Sequence, residues 1–147
     1  MTSMEETLNR STLHLLYRAT QCASNAFESE IEGLTPRQFT VLAALDGEEG
    51  ASQATLTKRT GIDRSTISEV IARLLSKGFV ARRVSPSDRR AYTLRLTPKG
   101  RQKLLTVRPA VERIDEQILG LVPTRHRQAL MLALSGLTKA CELSRGG

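Results

Sequence analysis

The feature that most constrains the fold of this chain is a change of hydrophobic period near its middle. Up to Lys77 the apolar residues recur at three- and four-residue spacings, as they do on one face of a helix. Gly61 and Gly78 are stop signals, so the pattern predicts a short helix over 53–60 that ends at Gly61 and a second over 64–77 that ends at Gly78. Two short helices joined by a tight turn containing glycine are typical of a helix-turn-helix.

After this pair of helices the apolar residues alternate with polar ones, as they do in a strand. Residues 79–84 and 91–96 predict two strands, and the intervening Ser-Pro-Ser-Asp-Arg-Arg is typical of a turn. The second strand places Tyr92, Leu94 and Leu96 on one face. We therefore expect a β-hairpin with a basic tip.

Helices are predicted on both sides of this centre. Apolar and small residues at helical spacing indicate one long helix over 8–31. Thr-Pro dipeptides at 35–36 and 97–98 each place an N-cap before a proline at the first helical position, and Gln38 completes a capping box at the first of them. A last helix follows Pro123, so the expected fold class is mainly α with one two-stranded sheet.

The helix that begins after Thr97 carries a coiled-coil-like seam. Its apolar residues are spaced by three and four and comprise Leu104, Val107, Val111, Ile114, Ile118 and Leu121. Pro109 lies within this helix and is expected to kink it or to loosen it locally. The seam and the apolar stripes at both termini exceed what a small domain needs to cover, which indicates a homodimer. A seam packed within one chain is the alternative.

The basic residues are concentrated in the centre of the chain. The whole chain has 22 Lys and Arg against 15 Asp and Glu, whereas residues 58–108 include 14 basic and three acidic residues, a net charge of +11. The rest of the chain has a net charge of −4. This distribution favours a polyanionic partner. A solvated basic surface and an anionic membrane surface are alternatives, although the segment lacks the aromatic residues of an interfacial helix.

Several chemistries lack the residues that they need. The sequence has two histidines, His14 and His126, and no CxxC, HExxH, GxSxG or Gly-rich phosphate loop, so we expect no enzyme activity, metal or cofactor. It shows no signal peptide and no apolar run long enough to span a bilayer, which predicts a cytoplasmic protein without a membrane partner. Cys22 and Cys141 are expected to be reduced thiols.

The helix predicted over 64–77 has two chemically different faces. An apolar stripe is formed by Ile67, Val70, Ile71, Leu74 and Leu75. The opposite face carries the candidate DNA contacts, which are Arg64, Ser65, Thr66, Ser68 and Arg73. In a helix-turn-helix the N-terminal residues of the second helix meet base edges, and the free N–H groups there favour a phosphate. The alternative is an ordinary solvated helix face.

These motifs in combination resemble the MarR family of winged helix-turn-helix regulators. The resemblance rests on LTPRQFTVL at 34–42, DRSTIS at 63–68, RL at 73–74, KGFVAR at 77–82, DRR at 88–90 and LTPKG at 96–100. It extends over about residues 8–143, and no single motif would suffice.

The resemblance implies a winged helix-turn-helix DNA-binding domain over 34–99. It also implies a helical dimerisation region built from the N- and C-terminal helices, over 1–33 and 100–147. Such a homodimer binds double-stranded DNA at a pseudo-palindromic operator whose half-sites are about one helical turn apart. Most members of the family repress transcription, and many release DNA when a small ligand binds.

The resemblance also assigns roles to the tip of the hairpin. Arg90 would enter the minor groove, where a narrow groove has an enhanced negative potential that attracts arginine. Asp88 would orient Arg90 through a salt bridge, and Arg89 would lie at the DNA backbone.

The ligand of such regulators usually binds between the dimer helices and the DNA-binding domain. Candidate contacts are His14, Tyr17 and Arg18 on the first predicted helix, with Phe39 on the next, and Arg18 could pair with a carboxylate or phosphate. The leading hypothesis is therefore a repressor that is released by a small molecule such as an aromatic acid or an acyl-CoA. Arg18 in a salt bridge and His14 at the surface are the alternatives.

Two further functions stay open. A redox-responsive regulator of the same fold would use Cys22 or Cys141, although the peroxide-sensing cysteine of some relatives would fall earlier, near Leu13. A constitutive DNA-binding protein would need the same basic segment and no effector.

Overall fold

The computed structural model describes residues 1–145 and contains helices that flank one two-stranded sheet. In chain order the elements are α1 (Met4–Arg10), α2 (Thr12–Glu30), α3 (Pro36–Leu45), α4 (Gln53–Thr60), α5 (Arg64–Ser76), β1 (Val80–Val84), β2 (Tyr92–Leu96), α6 (Pro98–Gly120) and α7 (Thr124–Arg145). The predicted fold class, mainly α with a β-hairpin after a helix-turn-helix, is confirmed. The division into a DNA-binding domain and a helical dimerisation region stays a prediction. Residues 146 and 147 of the predicted dimerisation region lie outside the described residues.

The prediction of a single N-terminal helix over 8–31 is wrong, because the chain leaves the helical conformation at Ser11. The backbone of Ser11 is extended, with φ −77° and ψ 119°. Its N–H donates to the Leu8 carbonyl at 3.0 Å, and its hydroxyl accepts the N–H of His14 at 3.3 Å. Ser11 therefore ends α1 and caps α2, a role for which serine is among the preferred residues.

The predicted helix boundaries in the centre are confirmed by their caps. Thr35 and Gln38 form the capping box that begins α3, and Thr97 caps α6 by accepting the N–H of Gly100 at 3.0 Å. Gly61 ends α4 with φ 70°, a left-handed conformation that glycine adopts without a steric penalty.

The core joins the helix-turn-helix to the hairpin. Its fully buried side chains come from α3, α4, α5 and β2 and are Val41, Leu42, Leu45, Leu56, Ile67, Ile71, Leu74 and Leu94. The apolar stripe predicted on α5 faces this core, since four of its members are buried and Leu75 is half-buried. The polar face of α5 is therefore exposed to solvent, while its apolar face packs against the core.

The hairpin is attached to the rest of the chain by a third extended segment. Its strands pair antiparallel from Val80 opposite Leu96 to Val84 opposite Tyr92, and we call residues 80–96 the wing. Ala51 forms a bridge with Leu94, with N–H to O distances of 2.9 Å and 2.8 Å. The segment just before α4 therefore fixes the base of the wing.

The terminal helices leave much apolar surface uncovered in the single chain. In the predicted seam Leu104, Val107 and Ile114 are buried, whereas Ile118 and Leu121 are 36% and 85% exposed. No side chain of α1, and none of the α7 side chains described up to residue 144, is buried. Helix α6 runs from Pro98 to Gly120 without a break, although it contains Pro109. Over the described residues, no helix combines the length and apolar character needed to cross a membrane.

Candidate nucleic-acid interface

The start of α5 is organised by the carboxylate of Asp63. Its Oδ1 accepts the backbone N–H of Thr66 at 2.9 Å and the hydroxyl of Ser65 at 2.8 Å, while its Oδ2 accepts the hydroxyl of Thr66 at 2.7 Å. These bonds, the backbone bond from Thr66 first among them, hold the pKa of Asp63 well below its usual range. Asp63 is therefore an ionised N-cap that also orients two of the candidate DNA contacts.

This cap determines what Ser65 and Thr66 can offer to a ligand. A hydroxyl has one proton, and an ionised carboxylate can only accept, so both protons point at Asp63. The lone pairs that remain on the two oxygens can accept hydrogen bonds. In the major groove such acceptors match the amino groups of adenine and cytosine.

Ser68, another candidate DNA contact, is engaged in bonds within the protein. Its hydroxyl donates to the carbonyl of Arg64 at 2.9 Å and accepts the side-chain amide Nε2 of Gln53 at 2.6 Å. Ser68 thus lies at the contact between α4 and α5, and a bond from its hydroxyl to a base would compete with these two.

The predicted arginines are free of ion pairs among residues 1–145. All four are exposed, and none of them takes part in a salt bridge within the described residues; they are Arg64, Arg73, Arg89 and Arg90. Asp88 contacts Arg90 in a different way from the salt bridge that the resemblance implied. Its Oδ1 accepts the backbone N–H of Arg90 at 2.9 Å. This bond shapes the turn and leaves the guanidinium of Arg90 available.

A cleft brings the wing and the helix-turn-helix together. It has a volume of about 550 Å³ and is lined by Ser52, Gln53, Ala54, Thr57, Arg64, Arg90, Ala91 and Tyr92. Arg64 comes from the first residue of α5 and Arg90 from the tip of the wing, so the fold places two arginines 26 positions apart at one concave surface. Arg73 and Arg89 do not line this cleft.

Three residues at the cleft and the wing were missed by the sequence analysis as site residues. The hydroxyl of Tyr92 donates to Oε1 of Gln53 at 3.3 Å, and the guanidinium of Arg82 lies 4.6 Å from the centre of the Tyr92 ring. The available signal was Tyr92 itself, an aromatic residue with a polar tip in an exposed hairpin, because such a hydroxyl usually finds a partner.

Not all of the central positive charge is directed to solvent. The ammonium of Lys77 donates to the Gly33 carbonyl and to Oε1 of Gln38, both at 2.9 Å. Lys99 and Lys103 donate to backbone carbonyls at 2.9 Å and 2.8 Å. Since these amines bind carbonyl groups of the fold, the net charge of the segment overstates the number of side chains available to DNA.

None of the four candidate ligand contacts lines the cleft between the wing and the helix-turn-helix. His14 is half-buried near the start of α2, Tyr17 is 62% exposed, and Arg18 is exposed. Phe39 is half-buried and packs against Phe27, with ring centres 5.7 Å apart.

A second cavity, of about 590 Å³, lies between α2, α4 and α7. Its walls include Leu16, Lys58, Leu134, Leu137 and Cys141, and none of the four candidate ligand contacts lines it. Cys22 and Cys141 are both free and exposed. Within the described part of the chain, no group of three or more His, Cys, Asp or Glu residues could hold a metal.

The comparison with known proteins agrees with this geometry. A family model described as "MarR family" matches residues 32–91. A curated relative from Thauera aromatica, named a putative transcriptional regulatory protein for the hcr operon, is 36% identical over 106 residues. That alignment covers 72% of this chain and 64% of the relative, so the chain spans less than two thirds of that relative's length.

Two other proteins match over more of their length. The HTH-type transcriptional repressor NicR of Pseudomonas putida is 32% identical, with 82% of this chain and 78% of NicR covered. A solved structure concerns the regulation of DNA binding of Bordetella bronchiseptica BpsR by 6-hydroxynicotinic acid. Its TM-score is 0.81 at 33% identity, and the match covers 88% of this chain and 94% of that structure.

Proposed function

Because this chain belongs to the MarR family of DNA-binding transcriptional regulators, which are not enzymes, we propose that it is a dimeric repressor released from its operator by a small molecule. The observation that carries the proposal is the cleft between the wing and α5, which both Arg64 and Arg90 line. In this proposal residues 34–99 bind DNA, and the helices of 1–33 and 100–147 form the dimer.

On DNA, the exposed face of α5 enters the major groove, and the tip of the wing reaches the adjacent minor groove. Ser65 and Thr66 approach base edges as acceptors, because Asp63 holds both hydroxyl protons. Arg90 enters the minor groove, while Arg64, Arg73 and Arg89 approach phosphates, which supply most of the salt-dependent affinity. Ser68 accepts a hydrogen bond from the side-chain amide of Gln53 and so links α5 to α4.

The dimer is proposed from the exposed apolar residues of the terminal helices. Leu13, Leu121, Leu132 and Leu143 are between 67% and 85% exposed in the single chain, and α7 contributes no buried side chain up to residue 144. A second copy that covers these helices would remove this surface from water, which is the main driving force of stable association. Sedimentation of the purified protein should give the mass of two chains. A single-chain mass at concentrations that occupy the operator would refute the dimer.

The proposed effector is an aromatic carboxylate. The relative BpsR is described as regulated by 6-hydroxynicotinic acid, an acid of this class, and NicR is named a repressor. The lining of the cavity between α2, α4 and α7 combines apolar residues with Lys58 and Glu142, and Lys58 is the cationic residue there that suits a carboxylate. His14, Tyr17, Arg18 and Phe39 are candidate contacts in a dimer, where the partner's helices would complete their surroundings.

A thiol-based response is the second candidate. Cys22 and Cys141 are exposed, and Cys141 lines the same cavity, so an oxidant could reach either sulfur. Replacing each cysteine by serine separates the two candidates, since only a thiol-based response requires a sulfur.

The experiment is fluorescence anisotropy of a complex preformed with a labelled duplex from the region upstream of the protein's own gene. Aromatic carboxylates, their coenzyme A thioesters and an organic peroxide are titrated into it, with a scrambled duplex as the control. Release by an aromatic carboxylate supports the proposal. Release by the peroxide alone, lost in the cysteine variants, would replace it by the thiol-based function.

If no compound causes release while specific binding persists, the protein is a constitutive DNA-binding regulator with respect to this panel. That result would overturn the proposed effector and leave the DNA interface intact.

A further inference from the structure

We infer that Gln53 is a positioning residue that fixes the wing relative to α5 and so sets the separation of Arg90 from Arg64. The inference rests on the proposed function for its effect on DNA. The structural part of the inference rests on contacts within this chain, the hydrogen bonds of Gln53 to Tyr92 and to Ser68, which we call the joint.

The register of the bridge at the base of the wing brings Gln53 and Tyr92 together. Ala51 and Leu94 are antiparallel partners. Two residues further along each segment, in opposite directions, lie Gln53, the first residue of α4, and Tyr92 of β2, so the bridge keeps these two residues close to one another. The hydroxyl of Tyr92 accordingly donates to Oε1 of Gln53 at 3.3 Å.

The other end of the same amide holds α5. Nε2 of Gln53 donates to the hydroxyl of Ser68 at 2.6 Å, and that hydroxyl donates to the carbonyl of Arg64 at 2.9 Å. A continuous chain of hydrogen bonds therefore runs from the wing to the first residue of α5. Glutamine suits this position because its amide offers both a donor and an acceptor at one tip.

Both anchors of the joint are themselves held in place. Gln53 is the first residue of α4, whose cap is Ser52, with the hydroxyl of Ser52 accepting the N–H of Thr55 at 3.1 Å. On the wing, the guanidinium of Arg82 lies over the ring of Tyr92 at 4.6 Å. The cap fixes the backbone at Gln53, and the guanidinium of Arg82 restricts the ring of Tyr92, as a precise joint requires.

The position of the joint explains why it would matter for recognition. Gln53 and Tyr92 line the same cleft as Arg64 and Arg90, so the hydrogen bond between Gln53 and Tyr92 lies at the surface that presents the two arginines. A wing that moves freely would still meet phosphates, because these occur on every duplex. Simultaneous fit of α5 and the wing to one operator requires a fixed spacing. Loss of the joint should therefore reduce specific binding more than general binding.

The test compares Gln53→Leu, Tyr92→Phe and Arg90→Ala, together with the double variant that combines Gln53→Leu and Arg90→Ala. Gln102→Leu is the matched control, because Gln102 is exposed on α6 and does not line the cleft. Affinities are measured for the upstream duplex and for a scrambled duplex. Hydrogen exchange of β2 is measured in the free protein, and Tyr92→Phe removes one hydroxyl with little effect on packing.

We expect Gln53→Leu to lower operator affinity by about tenfold, because DNA binding must then order a wing that two hydrogen bonds no longer hold, with a smaller change on the scrambled duplex. Arg90→Ala should cost less affinity in the Gln53→Leu background than in the wild type, because a displaced wing no longer delivers Arg90. The amides of β2 should exchange faster in Gln53→Leu and Tyr92→Phe, and Gln102→Leu should match the wild type.

Unchanged exchange of β2 in Gln53→Leu would overturn the inference whatever the DNA results are. Equal losses on both duplexes, fully additive with Arg90→Ala, would also overturn it and would assign Gln53 a direct phosphate contact. If Arg90→Ala itself leaves operator affinity unchanged while β2 exchanges faster in Gln53→Leu, the proposed role of Arg90 fails and the joint is supported.

Discussion

The ammonium of Lys77 donates a hydrogen bond of 2.9 Å to Oε1 of Gln38, and this contact ties the end of α5 to the start of α3. Gln38 is a buried polar residue, with 3% of its surface exposed, and its Oε1 also accepts the N–H of Thr35 at 3.2 Å. The same ammonium donates to the carbonyl of Gly33. Lys77 therefore secures both the helix-turn-helix and the connection from α2.

Lys77→Met should lower the free energy of unfolding by about 1–2 kcal/mol, because a buried amide and a backbone carbonyl each lose a charged donor. Lys58→Met is the control, since Lys58 is exposed, and its effect should stay within about 0.5 kcal/mol. Both are compared with the wild type by urea unfolding at one protein concentration, because dimers unfold in a concentration-dependent way. Equal losses of unfolding free energy in the two variants would contradict a stabilising role for the hydrogen bonds of Lys77.

Gly100→Ala should destabilise the fold by more than about 2 kcal/mol, because a methyl group there would overlap the carbonyl of Phe79. Gly120, in the same helix, has no neighbouring atom within 4 Å of a Cβ. Gly120→Ala should therefore be neutral or stabilising, by up to about 1 kcal/mol. Thermal unfolding of the two variants checks this, and a Gly100→Ala protein as stable as the wild type would refute the close packing of α6 on Phe79.

The ionised cap at Asp63 predicts a pH-dependent contribution to stability. Hydrogen bonds from Thr66 and Ser65 lower the pKa of Asp63 in the folded state, so its contribution is present above the pKa of the unfolded chain and is lost as the pH falls. The stability gap between the wild type and Asp63→Asn should be largest at neutral pH and shrink below about pH 4. A gap that stays constant across this range would show that the charge of Asp63 contributes nothing.

The basic side chains should divide into two classes by their effect on DNA binding. Arg89→Ala should reduce the slope of log affinity against log salt by about 1 per subunit, because one phosphate-directed charge is lost. Lys103 donates to the carbonyl of Glu32 at 2.8 Å, so Lys103→Met should leave that slope unchanged. Anisotropy titrations at several salt concentrations measure both slopes. If both substitutions reduce the slope equally, Lys103 contacts DNA despite its hydrogen bond to the carbonyl of Glu32.

Much of the fold follows from local sequence signals. The Thr-Pro caps before α3 and α6, the glycine that ends α4 and the change of period after Lys77 each act within a few residues, and the structure confirms all of them. The break at Ser11 was missed because the apolar spacing continues across it. A single serine that caps the next helix decided the conformation there.

The site was less accessible to sequence reasoning, because its contacts join distant positions. Gln53 meets Ser68 from another helix and Tyr92 from the wing, and no local pattern specifies either distance. Lys77 was counted as part of a basic segment, whereas the fold directs its ammonium to Gly33. In the proposed dimer, candidate ligand contacts such as Tyr17 depend on surfaces of the partner chain, so the sequence of one chain predicts only their residue types.

The most direct measurement compares the affinities of the wild type and of the double variant that combines Arg64→Ala and Arg90→Ala for two duplexes. One duplex comes from the region upstream of the protein's own gene, and the other is a scrambled sequence of the same composition. We predict that the wild type binds the upstream duplex at least about 10³-fold more tightly than the scrambled one, and that the double variant loses most of this preference. Equal affinity of the wild type for both duplexes, or an unchanged preference in the double variant, would contradict a DNA interface built on these two arginines.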